Sequence, residues 1–314
     1  MARFVQYTRL GGPEVLEIVD GKAPHAGPGE VSVAVKAVGV NPIDAKLRSG
    51  ARASAPIETP RVPGTDAAGV VSEVGADVTG WQIGDEVIVA GARGAYATDT
   101  VVTASGLTPK PRALSWAQAA GVGVPAGTAY QALRSLGVGE GSTLLLHAAS
   151  GAVGQAALQF ARELGATVIG TASAANHDRI RQLGGIPVEY GPGLVDRVRA
   201  AAPQGIDRVL DGAGTDEAIE ASLELVDDPT KVGTIVRGAD APSWGIRAWS
   251  GGSTVPLTDQ EKAWRLEGVR RAAELAAEGR FDIEIARSLP LDQAVEAHRL
   301  IEAGGLRGKI VLLP

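Results

Sequence analysis

The chain has 314 residues, 45% hydrophobic and 21% charged, with a formal net charge of −6. That length suits two domains, and the acidic balance gives no electrostatic footprint for nucleic acid or an anionic membrane. There is no cysteine, which excludes disulfides and thiolate-held zinc. The four histidines (His25, His147, His177, His298) are too scattered to argue for a metal site unless folding gathers them. No apolar run is long enough to span a bilayer and no signal peptide is evident, so a soluble, cytoplasmic protein is expected.

In chain order, the first 120 residues are rich in Gly, Pro and Val and lack long helical periods. Short β runs at 31–40 and 85–90 are bounded by turn residues, and 30–39 alternate as a strand with one buried face. This predicts a mainly β domain. A different pattern starts at Thr143: a short apolar strand, a turn of small residues (Ala149-Ser-Gly-Ala-Val-Gly154), an amphipathic helix, and a second strand over 166–173. Val153, Ala156, Ala157, Phe160, Ala161 and Leu164 supply the helix's apolar face. Strands are then predicted at 187–190, 207–211 and 231–237, with helices at 194–202 and 215–226. Such alternation specifies an α/β, doubly wound parallel sheet. The tail reads as helices at 261–278 and 291–302 and a last strand at 308–313.

The strand–turn–helix–strand unit is a dinucleotide-binding signature. Gly151 lets the backbone approach a pyrophosphate and Gly154 lets the helix pack on the strand, while Ala149 occupies the first glycine position. The peptide groups of Ser150, Gly151, Ala152 and Val153 then face the phosphates at a helix N-terminus. At the end of the second strand an NAD site usually carries an acid; here stand Ala172, Ser173 and Ala174, followed by Asn176, His177, Arg179 and Arg181. A hydroxyl and cations suit a 2′-phosphate, so NADPH is favoured over NADH. Arg179 and Arg181 read equally well as a solvated helix face. Other strand ends add Tyr190, residues 211–214 with Ala213, and Arg237 as cofactor contacts.

Five segments in fixed order resemble the zinc-free quinone oxidoreductase branch of the medium-chain dehydrogenase/reductase superfamily. They are Leu10-Gly-Gly-Pro-Glu-Val-Leu16, Gly39-Val-Asn-Pro-Ile-Asp44, the run 62–71, the glycine turn with Gln159 and Arg162, and Gly308-Lys-Ile-Val-Leu312. The resemblance runs end to end. It implies a GroES-like β-rich catalytic domain (1–122 with 257–314) interrupted by a Rossmann NADP-binding domain (123–256), a cleft between them for nicotinamide and substrate, and a homodimer. Zinc-dependent relatives carry cysteine near position 41 and a His-Glu pair after Gly64; this chain has Asn41 and Thr65-Asp66. The resemblance therefore implies hydride transfer from NADPH to a quinone or an α,β-unsaturated carbonyl without a Lewis acid.

The expected catalytic residues are Asn41, Asp44 and Lys46, with Asn41 also contacting the cofactor. Lys46 is either an oxyanion donor or a surface lysine. The resemblance places Thr128 beside nicotinamide and Lys309 near the cofactor. Some relatives have tyrosines where this chain has Lys46 and Arg52, which leaves the proton donor unidentified. Trp244 and Trp249, in a Gly/Pro/Ser-rich loop at 238–256, border either the substrate pocket or a dimer interface. His147 reads as a structural hydrogen bonder. The alternative function is an NADPH-binding structural or regulatory protein with little turnover.

Overall fold

The structure, a computed structural model, describes residues 1–249, 253 and 255–314. The first 124 residues contain strands β1 (Ala2–Gln6), β2 (Glu17–Gly21), β3 (Glu30–Val40), β4 (Asp66–Val74), β5 (Glu86–Ala90), β6 (Asp99–Thr103) and β7 (Leu107–Pro109), and helices α1 (Pro42–Ser49) and α2 (Trp116–Ala120). After α3 (Gly123–Leu136) come β8 (Thr143–His147), α4 (Ala152–Glu163), β9 (Thr167–Ala172), α5 (His177–Gln182), β10 (Ile186–Glu189) and α6 (Leu194–Ala201). These are followed by β11 (Arg208–Asp211), α7 (Asp216–Leu225), β12 (Val232–Thr234), α8 (Ala241–Trp244) and β13 (Arg247–Ala248). The chain closes with α9 (Asp259–Ala277), β14 (Ile285–Pro290), α10 (Ala294–Ala303) and β15 (Lys309–Leu313).

Two compact units result: Met1–Val124 with Val269–Pro314, and Pro125–Gly268. In the first, β14-β15-β3-β4-β5-β7 form a sheet, with β6 also paired to β3, and β1-β2 a separate ribbon. The last strand, β15, lies antiparallel to β3, with Ile310 opposite Val40 and Leu312 opposite Val38. This register returns the C-terminal tail to the N-terminal sheet and places Lys309 beside the end of β3. Val31, Val33, Val38, Val87, Val89 and Ile310 fill the core; β-branched side chains suit a sheet buried on that face.

The second unit has the expected doubly wound parallel sheet, in the order β10-β9-β8-β11-β12-β13. Sequence neighbours part on either side of β8 and β11, so the order reverses between them. Ligands of open α/β sheets bind beyond the strand carboxyl ends at such a point, and the glycine turn follows β8 there. Its three central leucines, Leu144, Leu145 and Leu146, are fully buried, as a two-sided covering requires.

The elements differ from expectation in a few places. β12 ends at Thr234 rather than near Arg237, because the Thr234 hydroxyl accepts the amides of Val236 and Arg237, both at 3.1 Å, and draws them off the ladder. The N-terminal region holds a helix, α1, initiated by Pro42 and an Asn41–Asp44 capping box. The loop expected at 238–256 contains α8 and β13; its residues 250–252 and 254 lie outside the described residues. Trp249 is buried: a Cβ on Gly233 would lie 2.3 Å from its ring, so the ring covers that glycine of β12. Trp244 packs partly buried on the core of the same unit.

Candidate active site and cofactor cradle

In the second unit the turn after β8 is held tightly. Ala148 takes a left-handed conformation (φ 57°), a strain of about 1–3 kcal/mol for a non-glycine residue. The Ala149 amide donates to the Thr171 carbonyl at 3.0 Å. Smallness at Ala149 is a packing demand, since a Cβ on Gly170 would meet its methyl at 2.8 Å. A Cβ on Gly154 would lie 2.3 Å from the Ala148 carbonyl oxygen and 2.7 Å from the Ala149 Cα, so the start of α4 approaches the strand as closely as only glycine allows. A Cβ on Gly151 would meet only the Ala148 oxygen, at 3.5 Å; its free side faces outward. Gly151 is the helix N-cap and has no side chain to cap it. The first-turn amides of Ala152 and Val153 therefore have no carbonyl one turn back. Half-buried Ser150, Gly151, Ala152 and Val153 thus form a cradle fit for a pyrophosphate.

Beside it, the Asn176 amide donates to Ser173 Oγ at 3.2 Å and Ser150 Oγ at 3.4 Å, gathering two hydroxyls and an amide from separate segments. His177 opens α5 next to them, half-buried. Arg179 is drawn away to Gln155 Oε1, 2.7 Å from Nη2, and Arg181 pairs with Asp178 on the surface.

Two other expected contacts, Ala213 and Arg237, are engaged within the protein. Asp211 accepts the amides of Ala213 and Gly214, both at 2.9 Å, and the Thr234 hydroxyl at 2.7 Å, so the Ala213 amide is committed to an internal turn. Arg237 is already paired within the protein. It pairs with Asp216 and Asp240 at 2.9 and 2.5 Å and lies over Trp244, bracing the loops after β11 and β12. Tyr190 is 55% exposed at the end of β10. Thr128 is buried within α3.

His147 ends β8 and is fully buried. Ser222 gives its only proton to the Ala218 carbonyl, so it accepts from His147 Nε2–H, and Nδ1 accepts from the Thr171 hydroxyl. The ring is thereby held neutral, with its pKa depressed to about 4 by burial. It is a structural tie between β9, β8 and α7, as expected.

In the first unit a second set of polar groups is sealed among the valines. Asn41 is buried; its amide nitrogen donates to Asp66 Oδ2 at 3.0 Å and the Gly39 carbonyl at 3.3 Å, and its oxygen accepts from Lys309. Lys309 is also 3.6 Å from Asp66 Oδ2. These three bonds fix which way the Asn41 amide faces. Burial lowers the Lys309 pKa, against the nearby charges of Asp66 and Asp44. Asp66 Oδ2 further accepts the Val124 amide at 2.8 Å, capping the start of α3, whereas Oδ1 has no partner among the described residues.

Asp44 sits on α1 next to this cluster. Its Oδ2 accepts the Asn41 backbone amide at 2.9 Å and the Tyr96 hydroxyl at 3.2 Å. That hydroxyl in turn accepts from His298 Nε2 at 3.2 Å, and His298 Nδ1 has no partner among the described residues. Burial raises the Asp44 pKa to about 7 and lowers that of His298 to about 4. Lys46 does not join the group: two residues further along α1, it projects roughly 200° around the helix from Asp44 and remains half-buried. Tyr96 and His298 carry no sequence signal, since 202 residues separate them. Asp66 was visible only as a departure from a zinc-ligand pattern.

Asp44 also lines a pocket of about 390 Å³ with Tyr7, Ile43, Leu47, Val62 and Thr65 among its walls. Gly64 and Gly94, both at positive φ, shape its rim; a Cβ on Gly64 would strike the Tyr96 ring at 2.4 Å.

Residues 27–112 match the alcohol dehydrogenase GroES-like domain family, and residues 188–312 the zinc-binding dehydrogenase family. The chain is similar to a quinone oxidoreductase of Pseudomonas aeruginosa, 33% identical over 100% of both proteins. Among solved structures it resembles Escherichia coli quinone oxidoreductase complexed with NADPH, at a TM-score of 0.84 and 27% identity over 99% of this chain and 100% of that one. It also resembles mycobacterial Rv1454c complexed with NADPH, at a TM-score of 0.83 and 29% identity over 100% of both chains.

Proposed function

This chain belongs to the quinone oxidoreductase branch of the medium-chain dehydrogenase/reductase superfamily, and from that premise we propose that it is an NADPH-dependent reductase of quinones or α,β-unsaturated carbonyls that works without zinc. The observation that carries the cofactor half is the turn at the sheet's reversal point. Uncapped amides and an outward-facing Gly151 offer a pyrophosphate site, and the Ser150–Asn176–Ser173 group lies beside it without a carboxylate. Bound there, the cofactor supplies a hydride. Ser150 to Val153 would hold its phosphates, and Ser173, Asn176 and His177 its 2′-phosphate. Titration of the purified protein with NADPH and NADH tests this; equal or tighter NADH binding would overturn it.

Zinc independence is supported by chemistry at three positions. Where zinc relatives carry cysteine, histidine and glutamate stand Asn41, Thr65 and Asp66, and the chain has no cysteine at all. Asn41 Oδ1 and Asp66 Oδ2 already face the Lys309 ammonium. Among the described residues no group of three or more His, Asp or Glu side chains could hold a metal ion. The zinc-binding dehydrogenase match, at 188–312, includes none of these three positions. The acceptor class follows from the relatives named quinone oxidoreductases, and Asn41, its amide direction fixed, is the residue we assign to the reacting end. No helix is long and apolar enough to cross a membrane among the described residues. A homodimer completes the reading, and light scattering of the purified protein tests it.

A further inference from the structure

Reduction of a quinone or enone by hydride leaves an oxygen that must take up a proton. Neither tyrosine that some relatives carry near α1 is present to give one, and Lys46 points elsewhere. Resting on the function proposed above, we propose that Asp44 is the acid that protonates the reduced acceptor, from the wall of the pocket it shares with Ile43, Leu47 and Thr65.

The geometry carries this in three steps. First, the carboxyl is buried yet borders the pocket. Second, both hydrogen bonds it accepts fall on Oδ2, which leaves Oδ1 to bear a proton. Third, apart from Arg61 and Arg93 the walls around Asp44 are largely apolar, with Ile43, Leu47, Val62, Pro63 and Ala92 among them. Arg61 is bonded to Ser54 Oγ and to the carbonyls of Ala55 and Pro56, at 2.9, 2.6 and 2.9 Å, and Arg93 pairs with Glu30 at 2.7 Å. A volume of about 390 Å³ has room for one or two fused rings.

The groups acting on Asp44 are Asp66 on β4, Lys309 on β15 and Tyr96, with His298 on α10 and Arg48 on α1 acting in turn on Tyr96. Burial and the Asp66 charge favour the protonated acid; the Asn41 amide, Lys309 and the Tyr96 hydroxyl favour the carboxylate. The balance leaves the proton labile near neutrality, as a general acid requires. In the step, the hydride brings two electrons and one hydrogen to the acceptor. The Asp44 O–H bond breaks, and its proton goes to the acceptor oxygen. The carboxylate regains a proton from water after product leaves.

The test uses menadione as acceptor. In wild type, kcat should fall as pH rises through about 7, and infrared spectra of the protein without cofactor should show a protonated-carboxyl band that fades over the same range. Asp44→Asn should lose the band and lower kcat at least tenfold, with NADPH affinity within about twofold and no alkaline limb. Tyr96→Phe removes a donor to the carboxylate, so it should move both the band and the limb to higher pH. This second variant decides the matter if Asp44→Asn misfolds. Leu47→Trp should raise the menadione KM without changing NADPH affinity. Wild-type kcat and pH profile in Asp44→Asn, or a limb unmoved in Tyr96→Phe, would overturn the proposal. Failure of wild type to bind NADPH or reduce any acceptor would overturn the function it rests on instead.

Discussion

Two glycines three residues apart separate holding the fold from the proposed hold on the cofactor. At Gly154 an added Cβ meets backbone on every side: the Ala148 oxygen at 2.3 Å and the Ala149 Cα and carbonyl carbon at 2.7 and 2.8 Å. Backbone cannot swing aside as a side-chain tip can, so Gly154→Ala should cost about 1–3 kcal/mol of stability and tilt α4 off its strand. At Gly151 the new methyl meets one atom, at 3.5 Å, and the residue's φ of −72° suits alanine. Gly151→Ala should cost no more than about 1 kcal/mol, the difference between glycine and alanine at an N-cap. Its methyl would nevertheless stand where, in the proposed cofactor site, the pyrophosphate touches backbone. We expect NADPH affinity to fall about tenfold, or ~1.4 kcal/mol. Urea denaturation and NADPH fluorescence titration of both variants measure the two effects. Gly151→Ala binding NADPH as wild type does would remove the turn from the cofactor site. Gly154→Ala with a wild-type midpoint would show that the contact is not a constraint.

Asn41→Ala should lower kcat/KM about tenfold or more, because it removes an amide held in one orientation by three bonds; unchanged kinetics would place the reaction elsewhere. Ser173→Asp should weaken NADPH and spare or improve NADH, by setting a carboxylate against the 2′-phosphate; a parallel loss of both would show only damage to the strand end. Stability should decline on acidification. His147 and His298 are held from 6.5 down to about 4, so their neutral forms contribute stability above pH 6.5 that is lost as pH falls toward 4. Asp44, raised from 3.8 to about 7, contributes stability that is lost as pH rises and so opposes them over this range. Two histidines outweigh one carboxyl, for a net loss of roughly 2–3 kcal/mol between pH 6.5 and 4. A denaturation midpoint that stays flat there would contradict the burial of these imidazoles.

The parallel sheet was legible because its signals are local: leucines across β8, helical spacing in α4, glycines at 151 and 154. Ser173 and Ser150 were found separately by position, but Asn176 as the group that joins them appears only when the strands are side by side. The N-terminal site was half legible. Asn41 and Asp44 share one short segment, whereas Lys309 reaches them through β15 pairing with β3, and Tyr96 and His298 arrive from distant elements. Sequence spacing cannot show that meeting. The surroundings of Arg237 and Trp249 were hidden for the same reason. Nothing local in a strand-end arginine reveals two carboxylates waiting for it, nor in a tryptophan near Gly/Ser-rich residues the bare Gly233 it covers.

The most direct test of the whole reading is NADPH oxidation with menadione, followed in protein dialysed against a strong chelator and assayed for metal. Sustained turnover at substoichiometric zinc, with NADPH much preferred to NADH, is the predicted result. Turnover that vanishes on chelation and returns only with added zinc would contradict it, as would tight NADPH binding with no reduction of any quinone or enone.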